Sequence, residues 1–200
     1  MTAARKTSEE RRREIADAAI KIIGERGLRE FTAARLAEEV GIRDGTIFRH
    51  FKDMNEITRA MLDRLQELIE AAPQSTGDPL ARLETFVVSR LRSVAANPGI
   101  QSLIFSDQIP HALGPEGHRR VAALRNRGRE VVRSCLREAA DRHLLREGLD
   151  VDGAVLLVTG MMMGFLFAAK DGALPAPIGE MEKRCWQTLR SALVRKEMTS

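Results

Sequence analysis

Cysteine is scarce in this chain, and its two cysteines carry no recognisable chemistry. Cys135 and Cys185 lie fifty residues apart, and neither belongs to a CxxC motif. A disulfide framework or a zinc site requires several cysteines or histidines at short spacing. We therefore expect reduced, partly buried thiols of a cytoplasmic protein, with a redox role as the alternative.

Patterns that mark β-sheets, metal sites and active sites are also missing. No run of alternating β-branched residues indicates a strand. His111, His118 and His143 lack the spacing and acidic neighbours of a metal site. No nucleophile motif, phosphate-binding loop or carboxylate pair stands out. We predict no catalytic residue, no metal and no cofactor; an enzyme that uses a helical core as its active site is the alternative.

Only one stretch is apolar enough to resemble a membrane span. Residues 153–169 are uncharged for seventeen residues, contain three glycines and a threonine, and lie between Asp152 and Lys170. A spanning helix needs about twenty apolar residues. The N-terminus is charged where a secretory signal would be apolar. We expect a helix that is buried on all sides, in a cytoplasmic protein with no membrane partner; a membrane span is the alternative.

Charge alone does not identify a partner. The net charge of +4 comes from 32 basic and 28 acidic residues, and 44% of the residues are hydrophobic, as is typical of a soluble globular protein. The first thirteen residues are locally basic, through Arg5, Lys6 and residues 11–13. This arm could lie along a phosphate backbone or reach a minor groove, or it could be a solvated, frayed terminus.

Apolar residues recur at helical spacing along nearly the whole chain, which predicts an all-α protein of about nine helices. In the first helix, residues 8–26, one face carries Ile15, Ala18, Ala19, Ile22 and Ile23. Two short helices end near His50, and Asp53 with Glu56 has the spacing of a capping box for a fourth helix that runs to about residue 71. The remaining helices are expected at about 79–96, 100–106, 116–143, 151–170 and 178–196.

Residues 32–57 carry the most informative pattern. In the first short helix Leu36, Ala37 and Val40 form one apolar stripe, and Thr32 precedes it as an N-cap. Gly41 permits the left-handed backbone that ends a helix abruptly. The second short helix, about 44–50, places Ile47 and Phe51 inward and leaves its polar residues outward. Two small helices joined by a tight glycine turn predict a helix-turn-helix, whose second helix can enter the DNA major groove.

The order and spacing of these residues resemble the N-terminal signature of the tetracycline-repressor (TetR) family. The residues that carry the resemblance are Gly27, Thr32, Leu36, Ala37, Val40, Gly41, Ile42, Gly45, Thr46, Ile47, Phe48, His50, Phe51 and Glu56. The resemblance covers about 45 residues; the rest of the chain agrees in length and helical character. It implies a DNA-binding domain at residues 1–53 and a ligand-binding and dimerisation domain at residues 54–200.

Three residues depart from the family pattern. Phe48 replaces the usual tyrosine, so a hydroxyl that could bond a phosphate is absent. Met54 replaces the lysine that commonly opens the fourth helix, which removes another phosphate contact. Arg43 stands where a small capping residue is usual, and its charge compensates for part of that loss.

The polar face of the second short helix and the resemblance together predict the DNA-binding residues. Arg43 and Arg49 can pair with guanine or phosphate, Thr46 with a thymine methyl or a phosphate, and His50 and Lys52 with phosphates. Solvated residues on a small helical head are the alternative. Phe48 would face the core or the sugar–phosphate edge. The predicted set is Arg5, Lys6, Thr32, Arg43, Asp44, Gly45, Thr46, Phe48, Arg49, His50 and Lys52.

The resemblance also implies a ligand pocket in the helical core. Apolar residues of the fourth to eighth helices could line it, and methionine tolerates ligands of varied shape. Plain hydrophobic core is the alternative. The predicted ligand-binding residues are Leu62, Leu65, Phe86, Leu103, Ile104, Phe105, Leu124, Val131, Met161, Met162 and Phe165.

A dimer surface is predicted on the last two helices, which form an intermolecular four-helix bundle in the family. Gly160 and Gly164 are four residues apart, so they share a helix face and allow close approach of another helix. Burial of the eighth helix within its own chain is the alternative. The predicted interface residues are Leu156, Leu157, Gly160, Met163, Gly164, Phe167, Met181, Trp186, Leu189 and Leu193.

The seventh helix is rich in arginine, which indicates a solvated face. A second nucleic-acid surface, or an arginine that binds an acidic ligand, is the alternative. The arginines are Arg119, Arg120, Arg125, Arg127, Arg129, Arg133, Arg137 and Arg142.

These features together predict a homodimeric, DNA-binding transcriptional regulator of the TetR type. We expect a repressor that a small-molecule effector releases from double-stranded operator DNA. A TetR-type activator, or a regulator that answers to a protein partner, is the alternative.

Overall fold

The computed structural model describes residues 6–70, 77–105 and 113–195, and these ranges contain nine α-helices and no strand. The predicted all-α class is therefore confirmed. The helices are α1 (Ser8–Arg26), α2 (Ala33–Val40), α3 (Asp44–His50), α4 (Met54–Glu70), α5 (Pro79–Ala95), α6 (Pro98–Phe105), α7 (Gly114–Asp141), α8 (Val151–Lys170) and α9 (Ile178–Leu193).

Local sequence signals explain where several helices begin. Asp78 caps α5 by accepting hydrogen bonds from the N–H groups of Leu80 and Ala81, both at 2.9 Å. Asp150 caps α8 in the same way through Gly153 N–H, at 2.6 Å. Proline at the first helical position has no N–H to leave unpaired. For that reason α6 begins at Pro98, two residues before the predicted start.

By packing, the chain divides into two compact units. Unit 1 comprises the described residues up to 70 together with 97–105 and 113–124, and unit 2 comprises 77–96 and 125–195. Helix α4 therefore belongs by its contacts to the same unit as α1, α2 and α3, and α7 has residues in both units. The boundary predicted between residues 53 and 54 separates a DNA-binding domain from a ligand-binding and dimerisation domain. This functional division stays a prediction.

In unit 1, α1 packs against α2, α4 and α6. The five residues predicted for its apolar face are all buried. Gly99 lies so close to α1 that a Cβ atom on it would be 2.2 Å from the carbonyl oxygen of Ile20. Only glycine fits there, which allows α6 to pack directly on the α1 backbone.

In unit 2, α5 packs against α8 and α9. Four residues of α5 at helical spacing are fully buried: Leu83, Val87, Leu91 and Val94. Leu145, which precedes α8, and Val194, which follows α9, form an isolated antiparallel β-bridge. Unit 2 thus has its own hydrophobic core.

The prediction that α8 is buried on all sides is wrong for the single chain. Val155, Val158 and Phe165 are buried, whereas Leu156 is 72% exposed and Phe167 is 47% exposed. The periodicity of an apolar helix does not distinguish its own core from a surface that a second molecule covers. In the described part of the chain, α8 is also the one helix long and apolar enough to cross a membrane by length and composition.

Candidate nucleic-acid interface

Helices α2 and α3 form the predicted helix-turn-helix within unit 1. The Thr32 hydroxyl accepts a hydrogen bond from Arg35 N–H at 3.3 Å and so caps α2. Gly41 ends α2 in the left-handed conformation, with φ of +70°. Ile47 and Phe51 are buried as predicted, which fixes the inward face of α3. The opposite face of α3 is consequently turned toward solvent.

That outward face carries most of the residues predicted to bind DNA. Arg43, Asp44, Gly45, Arg49 and Lys52 are exposed. Arg43 occupies the N-cap position, and its side chain makes no capping hydrogen bond, as expected for a residue that replaces a small capping one. The geometry leaves both arginines free to reach a DNA groove; their individual contacts stay predictions.

Thr46 and Phe48 differ from each other in exposure. Thr46 is half-buried, so only part of its side chain is accessible. Phe48 is 50% exposed, which excludes the core-facing alternative. An exposed aromatic ring on the outward face of α3 fits the remaining alternative, contact with the sugar–phosphate edge.

His50 is held on one side by the first helix. Its Nδ1 atom lies 3.1 Å from the hydroxyl oxygen of Ser8, and the ring is half-buried. Because Nδ1 is engaged, only Nε2 remains available to a phosphate. The predicted role of His50 as a phosphate donor therefore rests on a single ring nitrogen.

Arg12 of α1 joins the end of α3 to the start of α4. Its guanidinium donates to the carbonyl oxygen of His50 and, at 2.8 Å, to a carboxylate oxygen of Glu56. It also lies 4.1 Å from the centre of the Phe51 ring, a cation–π distance. We name the residues Arg12, His50, Phe51 and Glu56 the α1–α3–α4 cluster.

Glu56 is the one carboxylate of this cluster, and both of its oxygens accept hydrogen bonds. Its second oxygen accepts from Lys52 N–H at 2.6 Å. Because that backbone N–H and, next, the Arg12 guanidinium stabilise the anion, the pKa of Glu56 is lowered from its ordinary value. The predicted cap of α4 is present on the Asp53 side, since Asp53 accepts from Glu56 N–H at 2.8 Å.

Sequence reasoning missed the cluster, because it counted Arg12 with the basic arm. A usable signal was present: Arg12 lies three residues before the buried Ile15, on the same side of α1. Glu56 is adjacent in sequence to the buried Ile57, so it lies beside the buried face of α4 and not on it. Spacing of this kind places both charges at the border of the core.

The N-terminal arm is only partly described. Arg5 lies outside the described residues. Lys6 is exposed and pairs with Glu14, and Thr7 already caps α1 through a reciprocal capping box with Glu10. The pKa of Glu10 is lowered because the Thr7 backbone N–H and hydroxyl bond its carboxylate. Both alternatives for the arm, phosphate contact and solvated terminus, stay open.

The predicted ligand-binding residues fall in both units. In unit 1, Phe105 is half-buried and the others are buried: Leu62, Leu65, Leu103, Ile104 and Leu124. In unit 2, burial is uneven: Met162 and Phe165 are buried, Phe86 and Met161 are half-buried, and Val131 is 41% exposed. Pocket lining and plain core share such burial, so the assignment stays a prediction.

A groove in unit 2 lies away from these residues. It has a volume of about 560 Å³ and is lined by the start of α5 and the end of α9, with Leu80, Trp186 and Arg190 among its walls. Its lining contains two carboxylates, Asp78 and Glu84, and two guanidinium groups, Arg190 and Arg195, so it has no single charge preference.

The predicted dimer residues separate into two groups. Six form one exposed face of α8: Leu156, Leu157, Gly160, Met163, Gly164 and Phe167. We name this set the α8 face. Met181 is half-buried, whereas Trp186, Leu189 and Leu193 are buried inside unit 2. These last three already pack within their own chain, so we leave them out of the proposed interface.

Two arginines of α7 form ion pairs within the chain, and burial affects both cysteines. Arg120 pairs with Asp63 at 2.6 Å, and Arg133 pairs with Asp152 at 3.1 Å, which favours an ion-paired surface for these parts of α7. Burial raises the pKa of Cys135 and of Cys185, which disfavours the reactive thiolate at neutral pH.

Two family models match this chain. The model described as "Bacterial regulatory proteins, tetR family" matches residues 15–61, which include all of α2 and α3. The model described as "Tetracyclin repressor-like, C-terminal domain" matches residues 76–166. Together the two matches cover more than half of the chain.

Known proteins of similar sequence and structure agree with these matches. The transcriptional repressor KstR2 of Rhodococcus jostii is 28% identical over 146 residues, which are 71% of each chain. The structure of the ketosteroid transcriptional regulator KstR2 of Mycobacterium tuberculosis matches with a TM-score of 0.72 at 19% identity, over 98% of this chain and 100% of that one. A Saccharomonospora viridis protein solved in complex with choline matches with a TM-score of 0.74 at 18% identity, over 94% and 100%. At these identities the structural matches establish the fold alone.

Proposed function

Because the chain belongs to the tetR family of bacterial regulatory proteins, we propose that it is a homodimeric repressor that leaves its operator when a small molecule binds. The chain is a DNA-binding transcriptional regulator. The proposal adds the direction of regulation, the contact residues and the route of release. It places the protein in the cytoplasm and assigns it no catalytic activity.

The observation that carries the proposal is the outward face of α3. It presents Arg43, Arg49 and Lys52 to solvent on a helix whose other face is fixed by Ile47 and Phe51. Cationic side chains on a rigid helix can bind phosphates and read guanine edges in the major groove. The helix therefore acts as the recognition helix.

Two copies are needed to read a two-half-site operator. The α8 face supplies the contact, since its glycines allow helices to approach closely and its apolar side chains are otherwise exposed to water. A two-fold dimer would hold its recognition helices about 34–36 Å apart, one turn of DNA. This spacing lets both helices enter successive major grooves.

The effector binds in the helical core and changes that spacing. It lowers DNA affinity only to the extent that it binds the two conformations unequally. The predicted lining is apolar and includes the methionines Met161 and Met162, which favours an apolar effector. A ketosteroid regulator and a choline complex among the similar structures support small-molecule control, without identifying this effector.

A gel shift on DNA that flanks the protein's own gene tests the proposal. We expect the wild-type protein to retard this DNA and a pool of candidate metabolites to release it. Arg49→Ala should weaken the shift, whereas Arg184→Ala, which removes an exposed arginine of α9, should not. Absence of any shift would contradict the DNA-binding surface, and tighter binding with every active metabolite would contradict release by the effector.

A further inference from the structure

The α1–α3–α4 cluster contains an arginine that touches the recognition helix without being part of it. Arg12 donates to the carbonyl oxygen of His50, the last residue of α3. The same guanidinium bonds Glu56 in the first turn of α4 at 2.8 Å and lies over the Phe51 ring. One side chain thereby links three helices of unit 1.

The chemistry of this end of α3 favours an arginine. The last carbonyl groups of a helix have no partner within the helix, and they form the negative end of its dipole. A planar guanidinium can donate in two directions while it stacks on an aromatic ring, which an ammonium group cannot do. Arg12 can therefore hold the last carbonyl of α3 and the first turn of α4 with one side chain.

Each of the two terminal nitrogens of the guanidinium makes one hydrogen bond within the chain. Glu56 neutralises its charge, and Lys52 N–H holds the other oxygen of Glu56 at 2.6 Å. A DNA phosphate would therefore meet at Arg12 a charge that Glu56 already compensates. The contacts therefore argue for a role inside the protein.

We propose that Arg12 is a positioning residue for DNA recognition: it sets the orientation of α3 by tying the carbonyl of His50 to Glu56, and it does not bind DNA. The proposal rests on the proposed function, because it requires that α3 is the recognition helix. It assigns to α1 a part in DNA affinity that is independent of the basic arm.

The dependence of DNA affinity on salt separates positioning from phosphate contact. The probe is a duplex selected from a random-sequence library by the wild-type protein. For Arg12→Ala we expect affinity to fall about tenfold, which is the size of effect that a single charged hydrogen bond can have. The slope of log K against log salt should stay unchanged, whereas loss of a phosphate contact would make it shallower by about 1.

Arg64 provides a matched control. It also joins α4 to α1, through Asp17 at 2.8 Å, and it bonds Glu67 at 2.9 Å, but among the described residues it makes no hydrogen bond or ion pair with α3. Arg64→Ala should lower the melting temperature about as much as Arg12→Ala does, and it should leave DNA affinity unchanged. Equal affinity losses for the two variants would overturn the proposal, because general destabilisation would then explain both.

Arg12→Lys keeps the charge and most of the side-chain volume, so it addresses folding failure. It should bind DNA nearly as weakly as Arg12→Ala, since an ammonium cannot serve the carbonyl, the carboxylate and the ring together. Wild-type affinity of Arg12→Lys would show that charge alone matters. A shallower salt slope for either variant would show that Arg12 binds a phosphate. Either result would refute the positioning role.

Two further measurements separate this proposal from the proposed function. Glu56→Gln should weaken DNA binding when it is the only substitution. Combined with Arg12→Ala it should weaken DNA binding little further, because the two residues act as a pair. Amide exchange of Phe51, whose N–H bonds Ile47, should speed up in Arg12→Ala without any DNA present. If Arg49→Ala leaves affinity and salt slope unchanged while this exchange does speed up, α3 is not the recognition helix although the cluster holds it.

Discussion

Helices α3 and α8 each present a face that the chain leaves uncovered, and the two faces differ in chemistry. The face of α3 is short and cationic, with Arg43 and Arg49 in solvent. The α8 face is apolar, with Leu156 72% exposed. Water solvates the first face well and the second poorly. Exposure alone therefore predicts a partner only for α8, whereas α3 requires the complementary charge of DNA to explain its residues.

The difference also predicts opposite responses to solution conditions. Salt screens the attraction between α3 and phosphates and reduces the entropy that is gained when counterions leave the DNA, so it weakens DNA binding. Apolar contact through the α8 face depends on surface removed from water and is far less sensitive to salt. Dimers should therefore persist at salt concentrations that dissociate DNA.

The largest expected effect comes from a charge placed on the α8 face. A Cβ atom at position 164 meets nothing within 4 Å in the single chain, so Gly164→Arg should fold as a monomer. In a dimer its charge would be buried without a partner, at a cost of about 3–5 kcal/mol. We expect light scattering to show a monomer. This monomer should not bind a two-half-site operator.

Ala81→Arg is the control, since Ala81 is an exposed residue of α5 in the same unit. It should remain a dimer with normal DNA affinity. A monodisperse dimer of normal melting temperature from Gly164→Arg would remove α8 from the interface.

The next effect concerns the cationic face. Arg49→Ala should weaken binding to all sequences and flatten the salt dependence, because a phosphate contact releases counterions without reading bases. Arg43→Ala should instead relax preference at one base position, at a cost of about 1–3 kcal/mol. Fluorescence anisotropy on a set of single-base operator variants measures both. Indistinguishable binding of both variants and the wild type would sink the assignment of α3.

Restoring the family's usual residues should strengthen the same face. Phe48 is exposed, and Met54 is the first residue of α4, so Phe48→Tyr and Met54→Lys can each add one phosphate contact. Each is worth about 1.5–3 kcal/mol at most. Affinity at low salt reports the gain; if neither variant binds more tightly, the head docks on DNA along a different path from its relatives.

The smallest effect concerns acid stability. Four exposed or half-exposed carboxylates of unit 1 have lowered pKa values: in Glu10 through Thr7, in Glu39 through Lys21, in Glu56 through Lys52 N–H, and in Glu67 through Arg64. Their folded pKa values lie below the ordinary 4.5. They therefore contribute stability that is complete above pH 4.5 and is lost as pH falls through the folded values.

The single tryptophan, Trp186, is buried in unit 2 and reports on that unit alone. On acidification we expect helical circular dichroism to decline before Trp186 fluorescence changes, because unit 1 loses these contributions. A coincident transition, or a change in fluorescence first, would mean that the ion pairs of unit 1 do not set its acid stability.

Helix positions were predictable from the sequence because local signals define them. The limits of α1 and α8 agree with the prediction, since a capping threonine and a capping aspartate mark their starts. Gly41 ends α2 for the same kind of local reason. Where local backbone conformation alone determines the end of a helix, residue spacing and residue type were sufficient to predict that end.

Side-chain partners were not predictable, because they depend on helices that are distant in sequence. Arg12 was grouped with the arm, although it meets Glu56 across 44 positions of sequence. Trp186, Leu189 and Leu193 have the same helical spacing as an interface stripe, yet their own chain buries them. Periodicity identifies an apolar face but does not identify what covers it.

The β-bridge between Leu145 and Val194 has a consequence for how two copies meet. Beside it, Arg146 N–H bonds the carbonyl of Leu193 at 2.9 Å, and the Arg146 guanidinium bonds that of Ser191 at 2.7 Å. The bridge and these hydrogen bonds join the segment before α8 to the end of α9. We therefore expect α8 and α9 to be held together within each chain before two copies associate. In the proposed dimer, association through the α8 face would therefore resemble the docking of two rigid bodies. It avoids the entropy loss of coupled folding, and its rate should follow concentration without a lag.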